Sequence, residues 1–115
     1  MSQSAIPFDN YAELPYSETV RFEWDENKNE ANRKKHGIQF ESAALVFEDQ
    51  NRLMFVERIE DGEERWHAIG SVRSSILFLT VVHTYAEEGT ELIVRIISAR
   101  RATRHERELY AEAIF

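Results

Sequence analysis

Ile76-Leu77-Phe78-Leu79-Thr80-Val81-Val82-His83-Thr84-Tyr85, then Glu87-Glu88-Gly89, then Leu92-Ile93-Val94-Arg95-Ile96-Ile97-Ser98-Ala99 is the stretch that decides the fold. Both apolar runs are rich in β-branched and aromatic residues, and an acidic, glycine-containing break separates them, which is the pattern of two strands joined by a turn. Working backwards, Arg52 to Arg58 and Glu64 to Val72 have the same character, with the hairpin signal Asp61-Gly62 between them. Short links between consecutive strands make an antiparallel meander the economical arrangement.

Helical signals flank this block. Asp25 reads as an N-cap and Gly37 as a C′ residue of a helix from Glu26 to about His36. Glu26 lies near its positive end, and Lys34, Lys35 and His36 lie near its negative end, as the macrodipole favours. Phe40, Ala43, Ala44 and Phe47 recur at helical spacing, which predicts a shorter second helix from Phe40 to Phe47. Arg21 to Trp24 reads as a strand before both. At the other end, Thr103 and Glu106 have capping-box spacing and open a last helix from Arg104 to about Ala113. The expected class is therefore α+β: an antiparallel sheet with two N-terminal helices and one C-terminal helix. Residues 1–20 hold both prolines and show no period, so they are expected to be an extension to a single domain spanning 21–115.

The chain has no cysteine, which removes disulfides, zinc–thiolate sites and thiol nucleophiles. No signal-peptide pattern is present, and the longest apolar run is too short to span a bilayer; a cytoplasmic location and no membrane partner are expected. The four histidines show no tight metal spacing, and no glycine-rich phosphate loop is visible, so neither a metal nor another cofactor is expected. The net charge of −7 argues against a broad nucleic-acid footprint. The charge is uneven, however: Arg95, Arg100, Arg101, Arg104 and Arg107 crowd the last strand and helix.

Two constellations carry possible chemistry. In the run Arg95 to Arg101, strict alternation would put Arg95 and Arg101 on one face and Arg100 on the other. Guanidinium groups at a strand end clamp phosphate well, although pairing with the many glutamates is the bland alternative. In Glu63-Glu64-Arg65-Trp66-His67, Arg65 and His67 share one face and Glu64 and Trp66 the other. A carboxylate, a guanidinium and an imidazole there suit acid–base and electrostatic work, with an exposed strand of charged cross-strand pairs as the bland alternative.

The order of these pieces resembles the BrnT family. Phe22-Glu23-Trp24-Asp25, Lys28, Asn32 and Lys35-His36-Gly37-Ile38 are similar to its opening signature. Phe40, Ala43, Val46-Phe47, Asp49, Glu64-Arg65, Ile69-Gly70, Val82-His83-Thr84, Arg95 to Arg100, Ala102, Glu106, Arg107 and Tyr110 follow in family order, covering residues 21–112. The resemblance implies a RelE-like fold and a toxin of a type II toxin–antitoxin system that arrests translation as a metal-independent endoribonuclease. It implies a BrnA-like ribbon-helix-helix antitoxin, contact with operator DNA only through that antitoxin, an RNA substrate and possible action at the ribosome. A catalytically inactive interaction module that tunes operon repression is the alternative. In the nuclease reading, Arg65, Arg100 and Arg101 bind phosphate and transition-state charge. His36 or His83 is the candidate acid or base, with Glu64 as a second candidate base. Lys35, Arg95 and Tyr110 contact substrate.

Overall fold

The computed structural model of the protein describes residues 5–7, 19–73 and 77–114. Its elements run β1 (Ala5–Pro7), β2 (Thr19–Glu23), α1 (Glu26–His36), α2 (Phe40–Ala43), a 3-10 turn (Ala44–Glu48), β3 (Leu53–Glu60), β4 (Glu63–Val72), β5 (Leu77–Glu88), β6 (Glu91–Arg101) and α3 (Arg104–Ile114). The expected α+β class holds. The meander holds from β3 to β6, but the sheet is mixed: in the order β1-β2-β6-β5-β4-β3, β2 lies parallel to β6. The connection through α1 and the whole meander returns the chain beside β2 in the same direction, which short-link reasoning does not anticipate. The predicted second helix also makes only one α turn before tightening into 3-10 geometry. Gly70 shows why space is short there. A Cβ on Gly70 would lie 2.8 Å from Val46 Cγ1 and 3.3 Å from Asp49 Oδ2, so β4 and the 3-10 turn approach almost backbone to side chain.

Local signals act as the sequence implies. Asp25 accepts from the amides of Asn27 (2.8 Å) and Lys28 (3.3 Å), and Gly37 closes α1 at φ 73°. Asp61 and Gly62 both take positive φ (52° and 77°), as a two-residue turn matched to sheet twist requires. The β5–β6 turn falls at Gly89-Thr90, two residues later than expected, because β5 continues through Glu88 opposite Glu91.

The inner face of the sheet carries the main core. Val20, Phe22, Val81, Leu92, Val94, Ile96 and Ala99 pack there with Phe40, Val46 and Phe47 from the second helical segment. α1 has almost no apolar residue to contribute. Asn29 and Asn32 are its buried positions, and they attach it by hydrogen bonds instead. β2 pairs with β6 only over Glu91 to Arg95. Beyond that point Asn32 takes the place of a strand: its Nδ2 donates to Ala99 O (2.7 Å) and its Oδ1 accepts from Ala99 N (3.1 Å). Nδ2 also donates to Ile38 O, and Asn29 Oδ1 accepts from Phe40 N. Buried backbone groups at a strand edge need such partners.

A smaller cluster of Ile69, Ala102 and Tyr110, with Leu53, Phe55 and Phe78, seats α3 on the outer face. Tyr110 packs edge-on to Phe78 at 5.3 Å and donates its hydroxyl to Asp49 Oδ2 at 2.7 Å. Among the described residues no helix is long and apolar enough to cross a membrane.

Candidate active site

The outer face is read most simply as rows across the sheet. Strand partners share a face in each antiparallel pair. Arg58 and Arg65 are partners on β3 and β4, and Thr84 and Arg95 are partners on β5 and β6. Arg65 precedes Trp66, the partner of His83, so these four form one row. The next row is Phe55, His67, Val82 and Ser98, and the next is Leu53, Ile69, Thr80 and Arg100. α3 covers the outer face from the Ile69 side, leaving the arginine row and the His67 row beside it.

This grouping corrects the expected alternation along β6. The register shifts between Val82, opposite Ser98, and His83, opposite Ile96, so Ile97 is an extra residue without a partner. Such a bulge reverses the parity of everything after it. Arg95 and Arg100 therefore share the outer face, although strict alternation separates them. Arg101 takes the parity of Ala99, the inner one, at the exposed end of β6.

Each arginine on the face has a carboxylate near it. Arg100 is held most firmly, donating from Nη1 and Nη2 to Glu106 at 2.7 and 2.9 Å. Glu106 also accepts from Thr80 Oγ1 and Thr103 N, both at 2.9 Å, and its own amide is capped by Thr103 Oγ1. The Arg100 hydrogen bonds, opposed by burial and helped by Thr103 and Thr80, bring the Glu106 carboxyl down to about 2. Glu106 thus ties β5, β6 and α3 together and stays ionised. Arg95 Nη1 donates to Glu23 Oε1 at 3.3 Å. Arg65 differs: its Nε lies 3.4 Å from Glu60 Oε2 yet is buried without a hydrogen bond. Proximity without alignment gives charge attraction but leaves that N–H unsatisfied.

His67 stands amid these groups, half-buried against Phe55 with ring centroids 5.5 Å apart. Burial pushes its pKa below the usual histidine value; Glu57 and Glu106 pull the other way, and the Arg100 and Arg58 charges add to the depression. A neutral imidazole at neutral pH can accept a proton. The sequence places His67 on the face of Arg65 in a constellation suited to acid–base work, but the acid or base expected from it is His36 or His83, and Glu106 is expected only as a cap. Knowing the neighbours across the sheet supplies both roles.

Other expected site residues lie elsewhere. His83 is sealed in the inner core between Phe47 (4.8 Å) and Tyr85 (4.9 Å) and is fully buried. Burial drives its pKa down to about 3. Its Nδ1–H donates to Val81 O, which leaves Nε2 to accept from Tyr85 Oη at 2.8 Å. A substrate cannot reach it without opening the core. Glu64 pairs with Ile59 near the hairpin tip, on the face opposite Arg65 and Arg100. Tyr110 is buried and spent on Asp49; burial and that carboxylate raise its pKa. Burial would raise the pKa of Asp49, but bonds from Ser71 N, Tyr110, Asn51 N and Ser71 Oγ outweigh it and hold the carboxyl below its ordinary value. Lys35 and His36 lie on α1, where they line a shallow depression against Ile97 and Ser98 at the β6 edge. Among the described residues no group of three or more His, Cys, Asp or Glu side chains is arranged to hold a metal ion.

A small α+β domain with cations and a neutral imidazole gathered on one open sheet face is equipped to bind a phosphodiester. Residues 24–106 match the family model described as ribonuclease toxin, BrnT, of type II toxin-antitoxin system. The match spans most of the chain, and the chain belongs to the BrnT family, a family of type II toxin–antitoxin toxins with ribonuclease activity. No curated protein matches it.

Proposed function

We propose that this chain is an endoribonuclease that cuts RNA on the outer sheet face, using the substrate's own 2′-hydroxyl as nucleophile. The observation that carries this reading is the shared face of Arg65, His67, Arg95 and Arg100, which the bulge at Ile97 creates. The toxin domain is residues 21–115 together with Thr19 and Val20, the first two residues of β2, and it is preceded by an extension whose Ala5–Pro7 strand lies on the edge of β2. The natural inhibitor is a BrnA-like ribbon-helix-helix antitoxin, and both act in the cytoplasm.

His67 accepts the 2′-hydroxyl proton. The resulting alkoxide forms a bond to phosphorus as the bond to the 5′-oxygen breaks, and the departing oxygen takes a proton from water at the open rim. The products are a 2′,3′-cyclic phosphate and a free 5′-hydroxyl. Arg65 and Arg95 flank the phosphate and neutralise charge that grows on its oxygens. No hydrogen bond ties Arg65 to its carboxylate, which leaves its guanidinium able to turn toward a phosphate. Arg100 is occupied by Glu106, so its part is electrostatic: it helps keep His67 unprotonated. Cations and an imidazole suffice for this route, so metal-independent cleavage is part of the proposal.

The rival reading, an inactive module that only binds antitoxin, gains from the carboxylate beside each arginine. The two separate on one assay. Purified full-length protein, incubated with single-stranded RNA in the presence of a chelator, is expected to yield fragments ending in 2′,3′-cyclic phosphate, suppressed by stoichiometric antitoxin. Intact RNA with folded protein that still binds antitoxin would establish the module. Cleavage abolished by the chelator would remove the metal-independent step.

A further inference from the structure

We propose that the depression between α1 and the free edge of β6 is a second phosphate-binding site, which carries the backbone of single-stranded RNA away from the cleavage face. This rests on the nuclease reading and names how its substrate leaves the site. Lys28, Lys35, His36, Ile97 and Ser98 line the depression, and none of its lining residues is acidic. Lys28 and Lys35 stand two turns apart on one side of α1, about 10 Å along the helix. Among the described residues no carboxylate pairs with Lys28, Lys35 or His36, whereas Arg65, Arg95 and Arg100 each have one. The unneutralised charge of this region is therefore in the depression and not on the sheet face. The negative end of the α1 dipole lies near Lys35 and His36. Lys35 sets a full positive charge against that end, and Lys28 lies in the first turn, where the positive end of the dipole itself favours an anion.

Geometry joins the two sites. Ser98 belongs to the row of His67 and Val82 on the outer face and also lines the depression. Ile97 and Ser98 lie on the stretch of β6 edge between the last β2 pairing at Arg95 and the Asn32 bonds at Ala99. The bulge at Ile97 bends the strand at that point. A strand of RNA crossing Ser98 would pass from the arginine row onto Lys28 and Lys35. It must turn from a sheet face around an edge, which a single strand can follow and a stiff duplex cannot.

The test is binding of a fluorescent twelve-nucleotide single-stranded RNA with every 2′-hydroxyl methylated, so that it cannot be cut, across a series of salt concentrations. Each phosphate contact contributes roughly 0.7 to the slope of log affinity against log salt for a single strand. Lys28→Ala/Lys35→Ala is expected to flatten the slope by about 1.4 relative to wild type. Lys28→Arg/Lys35→Arg is expected to restore it. Lys34→Ala, on the same helix but outside the depression, is expected to leave the slope in place. An unchanged slope in the Lys28→Ala/Lys35→Ala protein would overturn the proposal, as would an equal loss in Lys34→Ala. Unchanged RNA binding with weakened antitoxin binding would also overturn it, and would assign the depression to the protein partner. If wild type binds this RNA with the lysine-dependent slope but cuts no cleavable RNA, the binding site stands and the nuclease reading fails.

Discussion

His83 on β5 and His67 on β4 sit one strand apart, on opposite faces of the same sheet. His83 faces Phe47 and Tyr85 and is fully buried, and its imidazole is held neutral down to about pH 3. His67 faces a row of arginines, stays half open, and feels Glu57, Glu106, Arg100 and Arg58 together. Residue type and strand propensity are the same for both. What separates them is the parity that decides which face each meets, and what is packed on that face. The inner face received the helical segment of Phe40 and Phe47 and became core. The outer face received α3 over only part of its length, and the remainder is available for chemistry.

If the outer face is the working face, removing the cation that no hydrogen bond ties to its carboxylate has a large effect. Arg65→Ala is expected to lower RNA cleavage by about 10²–10³-fold, as loss of one pre-organised donor does elsewhere, with little change in unfolding midpoint. Single-turnover cleavage alongside thermal unfolding measures both. The inner attachment of α1 should show the opposite signature. Asn32→Ala leaves Ala99 N–H and C=O without their partner at a buried edge, and the expected loss in denaturant unfolding is about 3 kcal/mol. Gly70→Ala places a methyl 2.8 Å from Val46 Cγ1 and should cost about 2 kcal/mol by overpacking, again read by denaturant unfolding.

The smallest effect sharpens the comparison through pH. The folded pKa of His83 lies well below the ordinary histidine value. The unfolded chain therefore binds this proton first, and stability falls as pH drops from about 6.5 toward 3. While only the unfolded state takes up the proton, the slope from this group is about 1.4 kcal/mol per pH unit. Asp49 and Glu106, whose pKa values are also lowered, add their losses only below about pH 4.5. Comparing wild type with His83→Phe between pH 6 and 5 isolates the histidine. Parallel stability curves for the two proteins would mean that His83 is not the buried neutral group described.

Features set by neighbouring residues were legible in the sequence. Asp25 and Gly37 bound α1, Asp61-Gly62 turns the β3–β4 hairpin, and Thr103 and Glu106 open α3, because each acts within a few residues of itself. The placement of Arg65 with His67 was legible for the same reason, since β4 alternates without interruption. The shared face of Arg95 and Arg100 was not. It depends on the extra residue Ile97, which is defined only against β5. The parallel β2–β6 pair was hidden because it joins segments some seventy residues apart. Asn32 was legible only as one residue of the opening signature, and its function as a substitute strand appears only where β6 runs past the end of β2. Glu106 was recognised for its cap, while its bonds to Arg100 and Thr80 required the third dimension.

The most direct test of the account is the single-turnover cleavage rate of His67→Ala against wild type, with unfolding followed in parallel. The account predicts a loss of about 10²–10⁴-fold, the usual worth of a positioned general base, in a protein that unfolds at nearly the same temperature. A His67→Ala protein that is folded and cleaves RNA at the wild-type rate would contradict it and move the chemistry off the outer face.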